Sequence, residues 1–267
     1  MRSIAVLLVL TAAALCTMVH AQGQADGKQN VDKAQKVVQE HLARIKGAEG
    51  QIIHLDDPSL KARFPDDTFF AVRYRQFPVA RQLPEGLRAS NIFVVRKDGK
   101  LLHLKDNKTL LTFFKENGPA VKDTDAAGAA LAAWLTLAQE FHQDGMFKFE
   151  VSKKNFALEK SGDEVKAIGR AIVMQGGNGE LNATLQFEKG KLAKVSESAK
   201  IIPGPRPICQ ATKLLDAEPI VRRMAENDLL YLGDLVKDYL DEQRAQAGPE
   251  LREAIDRIWR RIEQQRR

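Results

Sequence analysis

The chain has 267 residues, of which 44% are hydrophobic, and 41 lysines and arginines against 35 aspartates and glutamates give a net charge of +6. A chain of this length and composition can bury the core of one or two domains. The basic excess is small and forms no dense stripe, which argues against a nucleic-acid partner.

The first 21 residues have the three-part order of a secretory signal peptide. Met1 and Arg2 open the chain, an apolar run covers 4–15, and Val-His-Ala at 19–21 offers the small residues that signal peptidase needs. This run is too short to span a bilayer, and no later run reaches the ~20 apolar residues of a spanning helix. We therefore expect a soluble exported protein without a membrane span, periplasmic or secreted, with residues 1–21 as its signal peptide.

An N-terminal α+β unit is predicted over 30–119, after a flexible tether at 22–29 that is polar and lacks periodicity. Apolar residues at three- and four-residue steps predict a helix over 31–46. Aromatic and β-branched residues predict the strands, and Asp-Gly at 98–99 predicts a hairpin. The remaining predicted elements are strands at 68–77, 91–97 and 101–104 and a short helix at 110–117.

A second α+β unit is predicted over 123–202, with a helix at 125–143 followed by strands. In one of these strands apolar and polar residues alternate cleanly, as expected for a sheet with one buried face. The predicted strands are 147–152, 165–174, 180–188 and 191–201. One helix across an antiparallel sheet resembles the cystatin-like and NTF2-like folds over 125–201. The predicted fold class is therefore α+β, with antiparallel sheets each packed against a helix.

A helical module is predicted over 208–265. Three prolines within 203–207 block regular structure, so we place a domain boundary there. Residues 214–233, LLDAEPIVRRMAENDLLYLG, resemble the first helix of a HEAT-like repeat, and the resemblance extends over 214–264. Solenoids need about three repeats to bury a continuous core. We therefore expect this module to pack on the α+β body or to present an apolar face to a partner.

Four residues carry the repeat resemblance. Pro219 suits a first helical turn, Val221 lies on the apolar face of the helix, and Gly233 lets the chain reverse. The resemblance implies that Arg222, directly after the valine, pairs with a nearby acidic side chain. All four are therefore interpreted as structural residues.

The chain as a whole resembles a family of uncharacterised exported proteins of planctomycete bacteria. The segments that carry this resemblance are RPICQATK at 206–213 and DYLDEQR at 238–244. The resemblance implies export but brings no activity with it, so function has to be argued from the side chains.

The reactive side chains form no catalytic or metal-binding signature. Cys209 is the one cysteine left after cleavage, which excludes an intramolecular disulfide, and no protease motif surrounds it. Glycines at 176–179 precede a strand, which predicts a hairpin turn and not a phosphate loop. Aspartates at 56–57 and 66–67 are interpreted as solvated loop residues. The histidines left after cleavage form no HExxH or comparable pair of metal ligands, and they are His41, His54, His103 and His142. We predict no cofactor and no metal.

The first unit has basic side chains among aromatic ones. They form either a surface that binds an anionic glycan or an acidic protein, or an ordinary solvated face of a sheet. Its candidate contact residues are Arg73, Arg75 and Arg96.

The leading hypothesis is a non-catalytic exported protein, a binding or scaffold module with a protein partner on its C-terminal helices. The alternative is a small-ligand-binding protein or enzyme that uses the concave face of the 147–201 sheet.

Overall fold

The computed structural model of the protein describes residues 29–266. They form a mixed α/β structure with two antiparallel sheets and C-terminal helices, which confirms the coarse fold class predicted from the sequence. The predicted signal peptide, 1–21, and residues 22–28 of the predicted tether lie outside the described residues. Gln29, the last residue of that tether, belongs to the first helix.

The first sheet is built from four strands, and one helix covers one of its faces. The elements are α1 (29–43), β1 (Gln51–His54), α2 (Pro58–Arg63), β2 (Asp67–Arg73), β3 (Ser90–Arg96), β4 (Leu101–Leu104) and α3 (Asn107–Asn117). Strand order is β1-β2-β3-β4, and Phe70 of β2 stands opposite Phe93 of β3. Both phenylalanines are buried against Val38 and Leu42 of α1. The apolar stripe of α1 therefore covers this face of the sheet.

The second sheet lies against a single helix and has five strands, one more than predicted. The elements are α4 (Thr124–Ala138), β5 (Lys148–Val151), β6 (Ala157–Ser161), β7 (Glu164–Gln175), β8 (Gly177–Glu188) and β9 (Lys191–Pro203). Strand order is β5-β7-β8-β9, and β6 also pairs with β7. The predicted alternation in β8 is present, since Leu181, Ala183, Leu185 and Phe187 are buried. The glycines at 176–179 lie where β7 turns into β8, as predicted.

Helix α4 is shared by the two sheets. Every residue from 130 to 138 is buried, because one side of α4 contacts the second sheet and the other contacts α2. Trp134, which is 1% exposed, belongs to the same apolar cluster as Ile92 of β3 and Leu185 of β8. The units predicted at 30–119 and 123–202 therefore have one continuous core.

The C-terminal module consists of short helices around a second apolar cluster. Its elements are a 3-10 helix (Ala211–Leu215), α5 (Pro219–Leu232), a 3-10 turn (Gly233–Val236), α6 (Lys237–Gln246) and α7 (Pro249–Gln265). Leu229 of α5, Tyr239 of α6 and Ile258 of α7 are buried together. The Tyr239 hydroxyl accepts a hydrogen bond from the Ala211 N–H at 2.8 Å. No helix within 29–266 is long and apolar enough to cross a membrane.

Candidate functional site

The segment 139–146, between α4 and β5, joins the parts of the molecule and begins with a buried ion pair. Glu140 is 1% exposed and accepts hydrogen bonds from Arg73 Nε at 3.0 Å and Nη2 at 2.6 Å. Ser90 Oγ donates to the same carboxylate at 2.9 Å. Arg73 is the last residue of β2 and Ser90 the first of β3, so this pair attaches the end of α4 to the first sheet.

The same segment fixes the linker that leads to the helical module. Arg206 Nε donates to Asp144 Oδ2 at 2.7 Å, and Arg206 Nη1 donates to the Gly176 carbonyl at 2.6 Å. The guanidinium also lies over the Phe147 ring, 4.8 Å from its centroid. Gly176 has a φ of +80°, and a Cβ there would collide with the Met146 carbonyl, so this turn requires glycine.

The helical module docks on the body through two arginines that follow β2. Arg75 Nη2 lies 2.9 Å from Glu242 Oε2 on α6, and Arg81 Nη2 lies 2.8 Å from Glu242 Oε1. The Arg75 guanidinium also lies over the Tyr239 ring, 5.1 Å from its centroid. The hydrogen bond from Arg75 holds the pKa of Glu242 below its ordinary value. This carboxylate is therefore ionised at neutral pH and paired across the interface.

Apolar contacts accompany these ion pairs. Phe77, from the loop after β2, and Met146 both pack against the core of the helical module. A cleft of about 70 Å³ remains beside them, and Leu232 and Leu235 of the module line its other side. A cleft of this volume holds a few water molecules, so we assign it to the interface and not to a ligand.

Three arginines were predicted to contact a partner or an anion. Each of them forms an ion pair with a carboxylate of the chain itself. Arg73 and Arg75 hold Glu140 and Glu242, and Arg96 Nε lies 2.8 Å from Asp67 Oδ1. Burial raises the pKa of Asp67, although the nearby Arg96 opposes this shift. Contact with an external partner stays a prediction for these residues, whose charges are already paired near the ends of β2 and β3.

The four residues of the repeat resemblance lie around α5. Pro219 opens the helix, Val221 is half-buried, and Gly233 ends the helix with a φ of +55°. Arg222 Nη1 donates to the carbonyls of Asp216 and Ala217 at 2.6 and 2.9 Å, so its hydrogen bonds go to the backbone, and its pairing with an acidic side chain stays a prediction. The backbone turn before α5 leaves these two carbonyls free to accept, and Arg222 stabilises that turn.

The outer side of α5 is apolar and exposed. Ile220, Met224 and Tyr231 recur at helical spacing and are 60%, 54% and 55% exposed. Ile208 is 71% exposed, and its backbone is held against α5 because Asp228 accepts the N–H groups of residues 208 and 209 at 3.1 and 3.0 Å. We call these four side chains, Ile208, Ile220, Met224 and Tyr231, the α5 surface.

The residues considered for chemistry lie apart from one another. Burial raises the pKa of the Cys209 thiol, and the nearby Asp228 carboxylate raises it further, which opposes a nucleophilic thiolate. His103 stacks on Phe93 with 4.5 Å between ring centroids, and burial lowers the pKa of His103 to about 4. Within 29–266, no group of three or more His, Cys, Asp and Glu side chains could hold a metal ion.

The concave face of the second sheet, the predicted alternative ligand site, is filled along most of its length. Leu131 and Trp134 of α4 pack with Ala167 of β7 and Leu185 of β8, and all four are buried. The face opens only towards the end of β9, where Ala199 points to the α4 side but is exposed.

Sequence reasoning missed one polar residue on that face. Glu197 of β9 stands opposite the buried Ala183 and accepts hydrogen bonds from Trp134 Nε1 at 2.9 Å and Asn107 Nδ2 at 2.7 Å. Its signal in the sequence was an acidic residue at an inward position of an alternating strand, between Val195 and Ala199.

Comparisons with protein families, with curated proteins and with solved structures give no match to this chain. The HEAT-like and planctomycete resemblances therefore stay predictions, and any function has to be argued from the geometry of the chain itself.

Proposed function

We propose that the protein is a non-catalytic exported binding or scaffold module that holds a protein partner on the α5 surface. The observation that carries the proposal is the exposure of that surface, since each of its four apolar side chains is more than half exposed. Contiguous exposed apolar side chains mark interaction sites in soluble proteins, whereas single ones are ordinary.

The distribution of exposed apolar residues supports this choice. Of the ten large apolar side chains exposed within 29–266, six lie in 208–235 and none lies on α7 of the same module. The outer side of α7 carries charged residues instead, among them Arg257, Arg260 and Glu263. One helix of the module therefore has the polar outer side of a solvated helix, and the other has the composition of an interface.

The attachment of the module also supports a binding role. Glu242 joins it to Arg75 and Arg81 of the body, and Asp228 fixes the backbone of Ile208 beside the helix. A surface that is already held in position loses little conformational entropy when a partner binds. We propose in addition a HEAT-like packing for this module and a cystatin-like arrangement for α4 and the second sheet, supported by their order of elements.

The test is capture of partners by the chain that lacks the predicted leader. Met224→Lys places a charge in the centre of the α5 surface, where burying it against a partner is costly. We expect wild type to retain a specific protein from extracellular material of the source organism, and Met224→Lys to lose it. The captured protein is then purified and its affinity for both chains is measured by calorimetry.

The matched control is Leu83→Lys, which changes an apolar side chain of similar exposure, 40%, on the loop after β2. This variant is expected to bind the purified partner as tightly as wild type does. Equal affinity of wild type and Met224→Lys for every captured protein would contradict the proposal. So would a wild-type chain that sediments as a dimer and dissociates with Met224→Lys, because the occupant would then be a second copy.

A further inference from the structure

Two histidines contact one phenylalanine where α1 packs on the first sheet. His41 of α1 lies against Phe93 of β3, with 5.6 Å between ring centroids, and His103 of β4 stacks on the same ring at 4.5 Å. Phe93 is fully buried in the apolar cluster that α1 forms with this face of the sheet. The three rings therefore belong to one contact, and we call them the His–Phe–His cluster.

The surroundings of His103 favour the neutral imidazole. Its Nε2 is closed to solvent and has no hydrogen-bond partner in the part of the chain that the structure describes. A protonated ring would place a charged N–H donor there without an acceptor, which is costly. Burial accordingly lowers the pKa of His103 to about 4. At neutral pH the ring is therefore uncharged and packs on Phe93 as an apolar aromatic ring does.

The charged and titratable groups that act on His103 within 29–266 are all basic. After burial, the pKa of His103 is lowered further by Lys105 behind β4, by His41 of α1 and by Arg88 of the loop before β3. The carboxylate of Asp106 at the start of α3 interacts with Arg88 and does not shift the pKa of His103. A proton on His103 would thus meet repulsion from its neighbours without a carboxylate to offset it.

His54 on the same face of the sheet has a different environment. It lies against Phe70, with 5.5 Å between ring centroids, and burial lowers its pKa as well. The carboxylate of Asp56 beside it opposes this shift. A proton on His54 is therefore partly compensated, which makes His54 the natural comparison for His103.

We propose that protonation of His103 releases α1 from the first sheet, so that acid uncovers the apolar face that carries Phe70 and Phe93. In the released form the imidazole reaches water and can take up a proton at its ordinary pKa of about 6.5. Because the pKa of His103 is lower than this when α1 is packed, its contribution to packing is fully present above about pH 6.5. The contribution is lost as the pH falls towards about 4.

The test is amide hydrogen exchange of the protein at pH 7, 5.5 and 4, corrected for the intrinsic pH dependence of exchange. The lowered pKa of His103 favours the released form on the order of a hundredfold more at pH 4 than at pH 7. We therefore expect the protection of the α1 amides to fall by about that factor. The protection of β7 and β8, which pack on α4, should remain high.

Two variants assign the response to one histidine. His103→Phe keeps an aromatic ring against Phe93 but cannot take up a proton, so α1 protection should no longer depend on pH over this range. His54→Phe is the matched control, and it should keep the response of wild type. If His103→Phe does not fold, His103→Gln, which also stays neutral, takes its place. Titration of the imidazole by NMR in wild type gives the pKa of His103 directly.

Several outcomes would overturn the proposal. An equal loss of α1 protection in wild type and in the His103 variant would assign the response to other groups. Loss of protection in α1, β7 and β8 together would show acid unfolding of the whole body. Protection of α1 that stays unchanged down to pH 4 would exclude a release, and an imidazole of His103 that titrates near pH 6.5 would remove its cause.

Discussion

Two junctions hold this molecule together, and they differ in chemistry. The two sheets meet around α4, where residues 130–138 are all buried and most contacts are apolar. The helical module meets the body mainly through charged side chains, with Arg75 and Arg81 on Glu242, and with few apolar contacts. The first junction is a hydrophobic core, whereas the second resembles a protein interface.

The chemistry of each junction determines how strongly it responds to salt, pH and mutation. Apolar burial depends little on salt or pH, so the sheets should stay together over a broad range of conditions. Partly exposed ion pairs are screened by salt and depend on the charge of the carboxylate. We therefore expect conditions and mutations to loosen the helical module before they separate the sheets.

The largest expected effect is at the apolar junction. Trp134→Ala removes the central side chain of α4 and leaves a cavity, so we expect the free energy of unfolding to fall by about 3–5 kcal/mol. Chemical denaturation followed by circular dichroism measures this change. Trp259→Ala is the control, because Trp259 is only half-buried on α7, and an equal loss in both variants would contradict the role given to α4.

The next effect is expected at Glu140. Glu140→Gln leaves the Arg73 guanidinium without its counter-charge, and we expect a loss of about 2 kcal/mol, reduced from the value for fully buried pairs because Arg73 is 25% exposed. A double-mutant cycle with Arg73→Met measures the coupling. Glu180→Gln, which breaks the exposed pair with Arg170, should leave stability unchanged. A coupling of zero would show that Glu140 does not attach α4 to the first sheet.

A smaller effect is expected at the module interface. Glu242→Gln removes the charge that Arg75 and Arg81 share, and we expect a loss of about 1 kcal/mol or less, because this carboxylate is 38% exposed. Amide hydrogen exchange in the linker 203–208 should become faster while exchange in β7 and β8 stays slow. Asp256→Asn, which breaks an exposed pair with Arg244 inside the module, is the matched control and should not change linker exchange.

Acid should act on the same interface. Because the pKa of Glu242 is lowered in the folded protein, its contribution to stability is fully present above the unfolded carboxyl pKa of about 4.3. This contribution is lost as the pH falls through the lower folded value. We expect linker exchange to accelerate over that range in wild type but not in Glu242→Gln, and an equal response of both chains would exclude this carboxylate as the cause.

The smallest effect is expected on the α5 surface. Met224→Lys changes an exposed side chain with no partner in the described core, so the free energy of unfolding should change by less than about 0.5 kcal/mol. Thermal denaturation measures it. A large loss would mean that Met224 supports the fold, and the binding role proposed for this surface would lose its basis.

Periodicity predicted most elements because burial on one face leaves a regular pattern. The helix predicted at 110–117 lies within α3, and every predicted strand has a counterpart. Strand β6 was missed because Ala157–Ser161 has a single large apolar residue, Leu158, and its pairing with β7 supplies the rest. Helix α2 was missed because six residues carry too little pattern, although Asp57 caps its start.

The site was less predictable than the fold, because the partners of a charge are distant in sequence. Nothing local indicates that Glu140 lies against Arg73, 67 residues away, or that Glu242 holds Arg75. A strand pattern places Glu197 on the inner face, but its donors Trp134 and Asn107 come from two other helices. Such contacts follow from tertiary packing and not from sequence spacing.

The shared position of α4 means that the two sheets fold as one unit. Phe64 and Phe113 pack on Phe69 of the first sheet, but the apolar cluster they belong to also contains Trp134 of α4 and Leu185 of β8. A chain that stops before α4 would leave part of that cluster open to water, so neither sheet is expected to be stable without the other.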